Sequence, residues 1–214
     1  MRRRAYLAGA SATGLALTAG CVTAALEDYL EEATTFSASP ATVDDEVASD
    51  AGYTHQETTS IEESEEFAGE TVEVTNYLTE YTRSVDVPGL GELEAGVFSV
   101  ITSPRVSVAD QQFNPLAEMD SEQIVELVQD QYDGLSIDRL LGKRAVSGLG
   151  QSVSVETHEG SATLLSDAEL DILLDIAQPD HGGDHFVIVG VYPADLPDED
   201  ERVDAMIGGL EHDD

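Results

Sequence analysis

Two imidazoles and a carboxylate fall within five residues near the C-terminal end, in His181-Gly182-Gly183-Asp184-His185. Imidazole nitrogen and carboxylate oxygen are the usual donors to transition metals. His181, Asp184 and His185 are therefore candidate ligands, needing at least one more from elsewhere in the chain. The same residues also suit a tight turn between two strands, with glycine at the bend and the polar residues in solvent. The turn is the stronger expectation, because in so acidic a chain a carboxylate can always be found nearby, and no cofactor is expected. A second constellation is Asn76-Tyr77-Leu78-Thr79-Glu80-Tyr81-Thr82-Arg83. With a two-residue strand period, Tyr77, Tyr81 and Arg83 share one face. Tyrosine and arginine are favoured anchors of partner interfaces, so these three form a candidate partner-binding face. The competing expectation is that the tyrosines pack beneath a helix while Arg83 pairs with a local acid.

Other catalytic patterns are missing. Acids are so common that no Asp or Glu stands out as a general acid or base. Ser147-Gly148-Leu149-Gly150 is a turn sequence rather than a nucleophile elbow, and nothing near His158 completes a triad. Gly89-Leu90-Gly91 and Gly148-Leu149-Gly150 lack the following helix that a phosphate cradle needs. Asp198-Glu199-Asp200-Glu201 lacks the glycine and the spacing of a calcium loop. The expectation is a protein that is not an enzyme.

The chain opens with MRRRAYLAGASATGLALTAGC. Arg3 and Arg4, followed by Ala5-Tyr6-Leu7, fit a twin-arginine export signal. The uncharged run from Ala5 to Gly20 is shorter than the roughly 20 residues that span a bilayer. Thr18-Ala19-Gly20-Cys21 resembles a lipobox, and Cys21 is the only cysteine. The expected organisation is a signal peptide over 1–20, a lipidated acidic tether over 21–35 and one domain over 36–212. The expected location is the outer face of the cell membrane, anchored through lipid on Cys21, with an unidentified envelope protein as a further partner.

Composition agrees with that placement. The chain has 44 acidic and nine basic residues, a net charge of −35. Removing residues 1–20 takes away three arginines and no acid, leaving a charge of −38 and a single lysine, Lys143. Such a surface repels itself in dilute buffer; at 1 M salt the Debye length falls to about 3 Å and the repulsion is screened. A halophilic protein is the natural inference. Disorder is disfavoured, since 41% of residues are hydrophobic and fall in periodic runs. Nucleic acid is excluded as a partner by the lack of a basic stripe, and a monomer is expected.

Several elements would position these residues. Ser39-Pro40 suits a helix start, with Val43, Val47 and Ala51 on one side and Gly52 at its end. Glu62–Glu66 reads as an acidic turn. Glu70–Val87 alternates as a strand, with a change of parity that suggests a bulge near Asn76. Gly96–Thr102 is apolar on both parities and belongs in the middle of a sheet. Asp120 with Gln123 forms a variant capping box ahead of the stripe Ile124, Leu127, Val128 and Tyr132. Irregular chain then runs to Leu140. Strands follow near Arg144–Val146, Ser152–Glu156, Gly160–Leu165, Leu170–Ala177 and Phe186–Tyr192. A last helix begins near Asp198, with Val203, Met206, Ile207 and Leu210 inward. The fold class predicted is α+β, a single antiparallel sheet flanked by helices.

The stretches FSASPATV, VTNYLTEYTRSV, VFSVITSPRVSV, FNPLAEM, VQDQYDGLS and HFVIVGVYPADLPDEDERVDAMIGGLEH, with the signal and Cys21, resemble an uncharacterised family of haloarchaeal twin-arginine-exported lipoproteins. That resemblance implies a location and no activity. The element order also resembles, at fold level only, the α-β-α sandwich of the extrinsic photosystem II proteins and a Ran-binding import factor family. Members of that fold often bind or assemble, which implies a non-catalytic module; a metal-binding envelope protein using His181 and His185 is the alternative.

Overall fold

The computed structural model describes residues 35–67, 70–87, 91–108, 111–113, 115–131, 134–163 and 169–213. The signal with Arg3 and Arg4, Cys21, all but the last residue of the tether, and Tyr132 lie outside the described residues. In chain order the elements are β1 (Thr35–Ser37), β2 (Ala41–Val43), α1 (Asp45–Ala51), β3 (Thr54–Phe67), β4 (Glu70–Val87) and β5 (Gly91–Pro104). Then come β6 (Val106–Val108), β7 (Gln111–Phe113), α2 (Pro115–Glu118), α3 (Ser121–Gln131), β8 (Leu135–Gly148) and β9 (Gln151–Thr163). The chain ends with β10 (Glu169–Ala177), β11 (Asp180–His181), β12 (Asp184–Pro193), α4 (Glu199–Gly208) and β13 (Leu210–His212).

Strand dominates. One open nine-stranded sheet runs β3-β4-β5-β12-β10-β9-β8, with β1 also beside β4 and β11 beside β12. All its pairings are antiparallel except β1 with β4, so the sheet is mixed, which corrects the expected single antiparallel sheet. Two small ribbons, β2 with β13 and β6 with β7, stand apart from it. Among the described residues the helices are short, and the longest, α3, has 11 residues. The domain is therefore mostly β.

β12 shows how both faces are filled. Phe186, Ile188 and Tyr192 enter one cluster with Tyr53, Tyr81 and Phe98, beneath Val203, Met206 and Ile207 of α4 and Ala48 and Ala51 of α1. Val187 and Val189, of opposite parity, enter a second cluster with Leu174, Ile176 and the α3 residues Ile124 and Val128. Each fully buried side chain of this size contributes about 1.5–3 kcal/mol. β5 sits between β4 and β12 with residues in both clusters, as its two-sided apolar pattern predicts.

Local chemistry sets the boundaries. The first helix starts at Asp45 rather than Pro40, because the Asp44 carboxylate accepts from the Glu46 and Val47 N–H groups, each at 3.0 Å. Ala41–Val43, expected to be helical, pairs instead with β13. Gly52 closes α1 at φ +82°, a left-handed conformation that glycine adopts without a Cβ penalty. At α3 the capping box forms reciprocally: Gln123 N–H donates to Asp120 Oδ1 at 3.0 Å, and Asp120 N–H to Gln123 Oε1 at 2.9 Å. Leu127, placed on its inward stripe, is exposed.

Three other expectations are corrected. Glu62–Glu66 lies within β3, an outer strand on which Glu62 and Glu63 are exposed. β4 holds register through Asn76; the shifts fall at His55/Glu57 and Arg83/Ser84. Gly160 does not break β9: it lies mid-strand, where a Cβ would collide with the Ser136 carbonyl and Ile137 of β8.

Candidate functional site

The sheet face beneath α1 and α4, with Tyr81 and Tyr192, holds most of the buried charge among the described residues. Asp175 follows Leu174 in β10 and is 1% exposed. Arg144, from β8, reaches over β9 to bind it at two points, Nη1 to Oδ1 at 2.9 Å and Nη2 to Oδ2 at 2.6 Å. Thr157 of β9 donates to Asp175 Oδ1 at 2.6 Å and Tyr192 of β12 donates to Oδ2 at 2.9 Å. Arg144 Nε also donates to Asp204 of α4 at 2.9 Å. Burial disfavours the Arg144 charge, but its bonds to Asp175 and Asp204 outweigh that and raise its pKa. Burial, then the Asp175 charge, raises the Tyr192 pKa. The tyrosine is held as a neutral donor and the carboxylate as a fully engaged acceptor.

A second ion pair lies at the other end of α4. Arg83 pairs with Glu199, whose side chain is 3% exposed, and Arg202 approaches Glu199 at 3.6 Å. Tyr53 sits in the same region, its pKa pushed up to about 12 by burial and then by Glu199. The parity inference was sound: Tyr81 and Arg83 do share a face. That face is the covered one. Tyr81 is 2% exposed, accepts from the Val43 N–H at 2.8 Å and stacks against Phe98 and His55. Tyr81 and Arg83 tie β4 to β2 and α4 rather than forming an open partner surface, and Tyr77 is half-buried.

The His181–His185 segment folds as the expected hairpin. Its register pairs His181 with Asp184 and Asp180 with His185. Cross-strand partners share a face, so His181 and His185 lie on opposite faces and cannot close on one ion together. Asp184 accepts from Ser39 N–H at 2.8 Å and lies 3.0 Å from His212 Nε2. His181 stands edge-on to His212 and Phe186. On the other face His185 Nδ1 lies 2.8 Å from Asp180, which also pairs with Arg105. Among the described residues no group of three or more His, Cys, Asp and Glu side chains is arranged to hold a metal. Asp184 acts as a clip joining the chain before β2, the hairpin and the C-terminal strand.

A third cluster lies under the start of α3. Glu156 bonds Lys143 at 2.5 Å and Ser121; burial opposes its charge, and these bonds still lower its pKa. His158, 6% exposed, lies 3.9 Å from Glu156, and burial lowers its pKa.

Asp175, Glu199 and Asp184 are the only buried carboxylates among the described residues, and each is bound by groups from other elements. Asp175 could have been noticed in sequence as the acid enclosed by apolar residues in ILLDIA, and Arg144 as one of few cations. His212 had no local signal, since its partner is 28 positions away.

The family model described as Domain of unknown function (DUF6517) matches residues 40–211, from just before β2 into β13. No curated protein matches the chain.

Proposed function

The chain belongs to the DUF6517 family, and from that premise we propose that it is a non-catalytic binding or assembly module, lipid-anchored at the outer face of the membrane of a halophilic archaeon. The observation that carries the non-catalytic part is the state of the interior. Arg144–Asp175, Arg83–Glu199 and Asp184–His212 each join separate elements, so the charges best shielded for chemistry are engaged in holding the sheet to its helices. Catalytic groups need a reacting atom within hydrogen-bond reach, and these carboxylates meet protein donors instead.

The placement rests on Arg3-Arg4, the uncharged run after them and Cys21. Among the described residues no helix is long and apolar enough to cross a membrane. A two-chain lipid on Cys21 would hold the domain firmly where one chain would hold it marginally. The element order resembles, at fold level only, the sandwich of the extrinsic photosystem II and Ran-binding proteins, whose members often bind or assemble.

The test is in-cell cross-linking of the full chain at native salt. Recovery of a defined envelope protein, with the Cys21→Ser variant found off the membrane, supports the proposal. Recovery no different from an unrelated acidic lipoprotein contradicts the binding role.

A further inference from the structure

The two outer strands of the sheet are unlike in chemistry. Among the described residues β3 and β8 each pair along one side only. β3 presents Glu57, Glu62 and Glu63 to solvent, so an acidic strand laid along it meets like charge. β8 carries Arg139, Lys143 and Arg144, half of the six basic residues that follow the signal. It also carries Leu140 and Leu141, 44% and 48% exposed, the only adjacent pair among the exposed large apolar side chains of the described residues.

We propose that β8, over Arg139–Ser147, accepts an extended acidic and apolar segment of a partner protein as an added strand; this rests on the binding-module reading above and names its partner class. The cations are available. The Arg139 and Lys143 side chains are 70% and 58% exposed; the Arg139–Glu159 pair is of the exposed kind that contributes about 0–1 kcal/mol, and Lys143, though bonded to the half-buried Glu156, keeps its outer side in solvent, so incoming carboxylates can share both. In molar salt the Debye length is about 3 Å, and net charge stops steering approach. Contact-level complementarity then decides, and β8 is the edge where an acidic segment meets cations and leucines instead of glutamates.

The strand also limits what it takes. Register shifts at Ile137/Arg139 and Leu140/Gly142 break its regularity, and Gln129 of α3 already accepts the Ile137 N–H at 2.7 Å. A long flat strand is barred. The regular run Gly142–Ser147 is left for pairing, with Leu140 and Leu141 beside it for side-chain contact.

Hydrogen exchange on the full chain in molar KCl tests this, using a short synthetic peptide of alternating valine and glutamate and its valine–lysine counterpart. The glutamate peptide should slow exchange of the β8 amides by about tenfold at saturation, and the lysine peptide should not. Leu141→Asp with Lys143→Glu, checked for unchanged circular dichroism, should abolish the effect, and Ile61→Asp on β3 should leave it. Protection by both peptides, by the lysine peptide alone or by neither overturns the proposal. So does a β8-dependent dimer in sedimentation, which makes a second copy the occupant, or β8-dependent binding to anionic vesicles, which makes it lipid. Envelope cross-linking that succeeds in the β8 variant would retain the binding role and discard this edge.

Discussion

Arg144 and Asp175 meet through two parallel hydrogen bonds, at 2.9 and 2.6 Å, across the intervening strand β9. The pair fastens three strands, and through Asp204 it fastens α4 as well. Removing one partner of a buried pair leaves the other uncompensated. Asp175→Ala should therefore lower unfolding free energy by about 3–5 kcal/mol, read by denaturant titration at fixed molar salt. Replacing both partners, Arg144→Met with Asp175→Leu, should cost clearly less than Asp175→Ala. A loss below about 1 kcal/mol for Asp175→Ala would show that the network does not hold the fold.

The Asp184 clip makes a separate prediction. Asp184→Ala orphans the Ser39 N–H and frees His212, and should cost about 1–3 kcal/mol. The loss should be local in character, with faster amide exchange at Ser39 and along β2 and β13 before the central strands respond. Uniform acceleration across the sheet would contradict the clip. Zinc or nickel should leave the melting temperature of the wild-type domain unmoved, since His181 and His185 face apart.

His158 gives the domain an acid-side sensitivity. Burial holds its imidazole below the ordinary 6.5, so the folded state binds its proton less readily than the unfolded chain does. The stability this contributes is fully present above 6.5 and is lost as pH falls from there through the folded value. Unfolding free energy should decline as pH falls below about 6.5 in the wild type and decline less in His158→Gln. Equal slopes in the two proteins would remove His158 as the cause. Glu156, also lowered, acts in a more acidic window below its ordinary 4.5.

Salt should matter more for this domain than for one of mixed charge. With 44 acids against nine bases, self-repulsion is screened only at high ionic strength. Dialysis from molar to low-millimolar KCl should collapse the β-sheet circular dichroism signal, and restoring salt should recover it. A spectrum indifferent to salt would contradict a brine-adapted surface.

Which features could be read from the sequence follows from how local their causes are. β4 was legible to its ends because Val72 and Val74 alternate with polar residues on one parity and Tyr77 and Tyr81 continue on the other, and α3 because Asp120 and Gln123 cap it within one turn. β3 and the first half of β8 were not. On the outer strand β3 Glu62 and Glu63 both face solvent and give no apolar alternation, while in β8 the short alternation of Leu135 and Ile137 with Ser136 and Asp138 ends at the exposed run Arg139–Leu141. The start of α1 was misplaced because Ser39-Pro40 is a good local signal, and only the pairing of Ala41–Val43 with a ribbon 167 to 171 positions away overrides it. Site reasoning met the same limit. Parity put Tyr81 and Arg83 on one face, but which face is covered depends on α1 and α4. The pairing of Asp184 with His212 and of Arg144 with Asp175 exists only after the sheet has formed.

The account depends most on attachment through Cys21, and intact mass spectrometry of the protein from the membrane fraction tests it directly. The account predicts a chain that begins at Cys21 and carries a lipid on its sulfur. A chain that retains Met1 and an unmodified thiol, recovered from the soluble fraction, would contradict it.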